Sequence, residues 1–215
     1  MVMISLFIVI GHFVWDHFYP SATIRYRITV NVETPEGIKS GSAVRELRVS
    51  RFPSPSPDAR GFSAKLTGEA VVVDLGSKGK IFSLLDYPSA YITIAESFSR
   101  NLGRDDILFF RNLKPGTKVA VPLSGQHEIV YFSDLSDPKT VQAVYKTKRI
   151  DTKSIHKKGY EADDRLSEIF GPGYRVKDIT IEITRDPITR GVAEIIPPFG
   201  RKVYSFSRDR YIGWD

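Results

Sequence analysis

The chain has 215 residues, of which 41% are hydrophobic, 12% aromatic and 26% charged, and its 31 cations outnumber its 25 acids for a net charge of +6. That balance excludes a disordered chain and describes one able to bury a core. The absence of cysteine excludes disulfides, thiolate metal sites and cysteine nucleophiles.

The first element expected is a helix across the apolar run Met1 to Tyr19, where only Ser5, Gly11 and His12 interrupt the apolar residues before Asp16. From Val2 to Tyr19 such a helix would span about 27 Å, slightly under the roughly 30 Å hydrocarbon core of a bilayer. Trp15, Phe18 and Tyr19 gather at its end, as rings do at a headgroup interface, and Pro20 stops it. A cleaved signal peptide would require a basic start and a small-x-small site, which Pro20-Ser21-Ala22 does not supply. A buried core helix is the plainer alternative. The expectation adopted is a single-pass anchor over residues 1–19, followed by one soluble domain over 20–215. Arg25 and Arg27 behind the run favour a cytoplasmic domain by the positive-inside rule, but folded domains translocate largely regardless of charge. The placement expected is the inner membrane of a bacterium with the domain outside the cytoplasm.

Beyond the anchor the period is two. Ile24, Tyr26, Ile28, Val30 and Val32 alternate with polar residues from Thr23 to Glu33, which predicts a half-buried strand. Pro35-Glu36-Gly37 predicts a turn, with Val44 to Ser50 returning as its partner. Arg51 to Gly61, with three prolines, reads as a loop. Ala70 to Leu75 and Lys80 to Leu85 form a second predicted hairpin, expected to be central, around Gly76-Ser77-Lys78-Gly79. That turn lacks the frame and following helix of a phosphate-binding loop. Tyr91, Ala95, Phe98 and Leu102 predict a helix between Ser89 and Gly103. Strands are expected near Ile107 to Phe110, Lys118 to Leu123, Ile129 to Phe132 and Thr140 to Tyr145. A short helix is expected over Asp163 to Phe170, then strands over Val176 to Thr184 and near Lys202 to Phe206. The fold class is therefore mostly β, an antiparallel sandwich or open barrel with one or two short helices.

The stretches Arg25 to Val44, Gly68 to Gly76, Asp137 to Val144 and Phe170 to Gly191 resemble an uncharacterised family of bacterial proteins with an N-terminal hydrophobic segment. The likeness covers most of the domain and implies no activity, ligand or catalytic residue. The chain departs from the family by a Lys-rich insert, Tyr145 to Tyr160, and by lacking a basic leader.

Charge is concentrated at that insert. Residues 139–158 hold seven cations and one acid, which leaves 24 of each elsewhere, so this segment carries the whole net charge. Lys146, Lys148, Arg149, Lys153, Lys157 and Lys158 are the candidate contacts for anionic lipid or for a protein partner, against the alternative of a solvated loop. Nucleic acid is not expected, since Tyr145 and Tyr160 are too few to make a stacking platform.

Catalytic signals are sparse. His127 and His156 are the histidines outside the anchor, and His127 is expected on a surface turn. Asp105-Asp106, Asp163-Asp164 and Glu33/Glu36 pair carboxylates; capping of a helix is the expected role of Asp163-Asp164. No catalytic residue, metal site or cofactor is assigned. The function expected is a membrane-anchored envelope protein acting as a non-catalytic binding or assembly module. The alternatives are a hydrolase using His127 with an acid brought near by the fold, and a peripheral binder of anionic surfaces.

Overall fold

The computed structural model describes residues 18–53, 61–85, 90–98, 107–125, 127–150, 159–196 and 207–208. Within them the protein is mostly β, built from two antiparallel sheets with a few short helices.

Strand β1 (Ser21–Thr34) follows the predicted alternation: Ala22, Ile24, Tyr26, Ile28, Val30 and Val32 are all buried, while the residues between them are not. Burying each of the larger side chains contributes about 1.5–3 kcal/mol, which holds this face against the core and fixes the register. The turn at Pro35-Glu36 leads into β2 (Gly37–Phe52), paired with β1 from Thr34↔Gly37 to Ser21↔Ser50. Gly37 takes φ +115, open to glycine and strained for other residues. On its other side β1 pairs with β10 (Arg175–Thr184), so the predicted first and late strands are neighbours at the centre of one sheet.

That sheet runs β11 (Ser207–Arg208), β3 (Gly61–Glu69), β2, β1, β10 and β6 (Lys118–Ala120). The second runs β4 (Val71–Asp74), β5 (Lys80–Ser83), β7 (Glu128–Phe132), β8 (Val141–Ile150) and β9 (Gly159–Asp164). Only Ala70 separates β3 from β4, so the chain changes sheets there. β4 lies against β2 and β1. The approach is closest at Gly41, where an added Cβ would sit 2.0 Å from the Val72 carbonyl oxygen. Residues from both sheets and from the helices share one core, including Ile28, Leu47, Val73, Phe82, Ile129 and Ile181.

Several expectations change. Ile107 to Phe110 is helical, not a strand: in α2 (Ile107–Arg111) the buried residues are Ile107 and Phe110, three apart on one helix face. The helix α1 (Ala90–Ser97) forms within the predicted one and buries Ala90, Thr93, Ile94 and Ala95. The predicted Asp163 to Phe170 helix shortens to α3 (Leu166–Phe170), because Asp163 and Asp164 pair with β8 as the end of β9. β3 was not expected at all; its burial pattern lacks clean alternation. The β4–β5 hairpin forms, but β4 is at a sheet edge rather than central. The last helix, α4, is Val192–Ile195.

Residues 1–17 lie outside the described residues, and with them the anchor from Met1 to His17. No helix among the described residues is long and apolar enough to cross a membrane. The strand near Lys202 to Phe206 and the pair Asp105-Asp106 also lie outside them.

Candidate functional site

The described part of the basic segment lies mainly on β8, which pairs with β9. β8 runs through it to Ile150 and β9 begins at Gly159, with Lys146 opposite Asp163, Lys148 opposite Glu161 and Arg149 opposite Tyr160. Alternation buries Tyr145 and Thr147 and leaves Lys146 and Lys148 on the exposed face. Both are met by acids: Lys148 Nζ is 2.5 Å from Asp163 and Lys146 Nζ is 4.0 Å from Glu128. The Lys148 ammonium holds the Asp163 carboxyl below its ordinary range. Lys153, Lys157 and Lys158 lie outside the described residues, so the structure brings together only part of the predicted patch.

The two predicted carboxylate pairs that fall within the described residues serve the fold. Glu33 reaches Arg175 across the β1–β10 ladder at 2.5 Å, and Glu36 reaches Lys39. The Asp164 carboxylate accepts from the N–H of Leu166 (3.0 Å) and of Val176 (2.7 Å), joining the start of α3 to the start of β10. One of the two acids thus does receive a helix N–H as expected, though from the end of a strand. Burial of the Tyr145 hydroxyl, followed by the nearby Asp164 charge, raises its pKa.

His127 is not on a surface turn. It is 2% exposed, just before β7, and its carbonyl oxygen accepts from the Thr147 N–H. The surrounding Ser, Gly and Glu suggest a turn, but the Thr147 N–H bond carries the β7–β8 ladder on to His127, which is buried. Among the described residues no group of three or more His, Asp or Glu side chains is placed to hold a metal ion.

The most buried cation is Arg45, whose guanidinium lies wholly inside the protein. It occupies the inward row of β2, close against Gly68, where an added Cβ would come 2.9 Å from the Arg45 stem. Its Nε donates to the carbonyl of Glu69 (3.0 Å), and Nη2 to those of Ser83 (3.2 Å) and Leu84 (3.3 Å). Arg45 thus binds the first sheet to the chain on both sides of the β4–β5 hairpin. The Glu69 carboxylate, also buried, accepts from the Val192 N–H at the start of α4 (2.8 Å).

A groove of about 400 Å³ opens at the end of the first sheet where β1 begins. Its origin is a mismatch of strand lengths: β10 stops at Thr184, opposite Arg25, while β1 continues back to Ser21. The odd-numbered residues of β1 direct their peptide groups toward β10, so those of Ser21 and Thr23 lie beyond the last rung of the ladder. α2 packs beside them, and Arg111 Nε donates to the Ser21 carbonyl (2.7 Å). Ala22, Ile24, Phe110 and Ile183 provide apolar lining, and Arg25, Arg111 and Arg185 are the charged residues; no acid lines the groove. Arg25 Nε is held by Glu46 at 2.8 Å. Arg185 is exposed and makes no ion pair among the described residues. Next to it, Asp186 accepts from Thr184 and Arg27, and these bonds hold its pKa down. Arg25 was legible in the sequence only as a flanking charge; its meeting with Arg111 and Arg185 across 160 residues left no local signal.

Comparison of the chain with protein-family models, with curated proteins and with solved structures found no match in any of the three.

Proposed function

We propose that the protein is a membrane-anchored, non-catalytic binding or assembly module of a bacterial envelope. Residues 1–19 serve as its anchor in the inner membrane, and the two sheets form one sandwich-like domain outside the cytoplasm. The observation that carries this reading is the short connection between the apolar run and the domain. Ser21 already belongs to β1, and the Pro20 carbonyl accepts from the Arg51 N–H at 3.0 Å, so the end of the first sheet sits close to wherever the run inserts. Phe18, 64% exposed, and Leu108 of α2, 58% exposed, add apolar surface at the elements beside that point.

The basic segment, with Lys146, Lys148, Arg149, Lys153, Lys157 and Lys158, is the proposed contact for a protein partner or anionic surface. Glu128 and Asp163 offset Lys146 and Lys148, which moves the emphasis to Arg149, Lys153, Lys157 and Lys158. Hydrolysis by His127 would require a base that solvent and substrate can reach, and burial to 2% disfavours it.

Membrane fractionation tests the proposal. The full chain should stay in the membrane pellet through an alkaline carbonate wash, and deletion of residues 2–17 should release it. A full chain that washes free would overturn the anchoring.

A further inference from the structure

We propose that the groove at the start of β1 is a binding site for a phosphate oxyanion, supplied by a membrane lipid headgroup. Three features converge on that chemistry. The charged lining is wholly cationic and wholly arginine, the side chain whose planar fork matches phosphate oxygens two at a time. Arg185 makes no ion pair among the described residues, and Arg25, which gives its Nε to Glu46, lines the groove with it. The hydroxyls of Ser21 and Thr23 and the unladdered N–H groups of the same residues add uncharged donors at this end of β1.

The volume suits a headgroup-sized ligand, and the lining sets apolar side chains beside convergent polar groups, as small-molecule sites do. Position selects the lipid as source. The groove opens where the chain leaves the apolar run, with exposed Phe18 and Leu108 on neighbouring elements, so a membrane that holds the run would bring its headgroups near the groove. The oxyanion site stands on the groove alone; supply by a lipid rests on the anchoring proposed above.

Labelling of arginine by phenylglyoxal, read by peptide mass spectrometry on the full chain, tests both parts. In maltoside micelles free of phosphate, Arg25, Arg111 and Arg185 are compared with Arg175, a reference whose side chain is 69% exposed and paired with Glu33. Glycerol 3-phosphate at about twice its dissociation constant should slow labelling of the groove arginines about threefold and leave Arg175 unchanged. In bilayer discs, phosphatidylglycerol should protect the same three residues more than an uncharged glycolipid does. Arg185→Gln, which removes no bond of the fold among the described residues, should raise the glycerol phosphate concentration that half-protects Arg25 about tenfold, the loss of one charge-assisted contact.

Protection by phosphatidylglycerol and glycerol phosphate alike supports the site and its lipid source. Protection by glycerol phosphate without any from the lipid keeps the site and overturns the source. A chain that fractionates away from membranes yet is still protected by glycerol phosphate defeats the anchoring and not the site. Equal protection of Arg175, or none at the groove in either arm, overturns the oxyanion site.

Discussion

Replacing Arg45 by methionine keeps a stem of similar length against Gly68 and removes the guanidinium. Two effects then oppose each other. Relief of a buried charge is favourable, and exchange of whole buried ion pairs for apolar residues is often neutral or better. Here, however, the acceptors are backbone carbonyls of Glu69, Ser83 and Leu84, which stay in place and lose their donor. A hydrogen bond from a charged donor contributes about 1.5–3 kcal/mol. The Nη2 contacts at 3.2 and 3.3 Å share one nitrogen, so with Nε at 3.0 Å they amount to about two such bonds, or roughly 3–6 kcal/mol. Set against a domain stability of about 5–15 kcal/mol, the loss is large. Arg45→Lys separates charge from geometry: its single ammonium keeps the charge but cannot reach both ends of the hairpin, for an expected loss of about 2 kcal/mol. Urea unfolding of the full chain in nonionic detergent, followed by circular dichroism, measures both through the midpoint at constant slope. A methionine variant within about 1 kcal/mol of the parent would refute the assignment of Arg45 as the tie between the sheets.

Gly41→Ala places a methyl 2.0 Å from the Val72 carbonyl oxygen and 2.8 Å from its carbon, both backbone atoms, so β2 and β4 must separate. The expected destabilisation is about 3 kcal/mol by the same unfolding measurement, and a variant as stable as the parent would mean the strands do not approach there. Asp74 has its pKa lowered first by the Gly76 N–H and then by Lys80, so its contribution is present above the unfolded aspartate pKa of about 3.9 and is lost as pH falls through the lower folded value. The stability gap between the parent and Asp74→Asn should therefore be open at neutral pH and close in acid; a gap that widens below pH 4 would contradict the sign.

The local pattern was sufficient for elements whose burial is one-sided. β1 and β10 alternate because one face meets the core and the other does not, and that period of two is written directly in Ile24 to Val32 and in Ile179, Ile181 and Ile183. The turn at Pro35-Glu36-Gly37 is equally local, since the backbone angles it needs are properties of proline and glycine. Ile107 to Phe110 was opaque for the opposite reason: four apolar residues in succession carry no period, and packing beside β1 decided for helix. The basic segment was legible as charge but not as partners, because Asp163 meets Lys148 only through the β8–β9 register.

The sequence by itself determined a cysteine-free, mostly β chain with an apolar start and one cationic stretch, because composition and short-range periodicity are additive along the chain. Tertiary structure alone decided that Arg45 is a core residue, that His127 is buried, and that Arg25, Arg111 and Arg185 line one groove. Each of these depends on which strands become neighbours and where a ladder ends, a contest among distant pairings that no window of sequence contains.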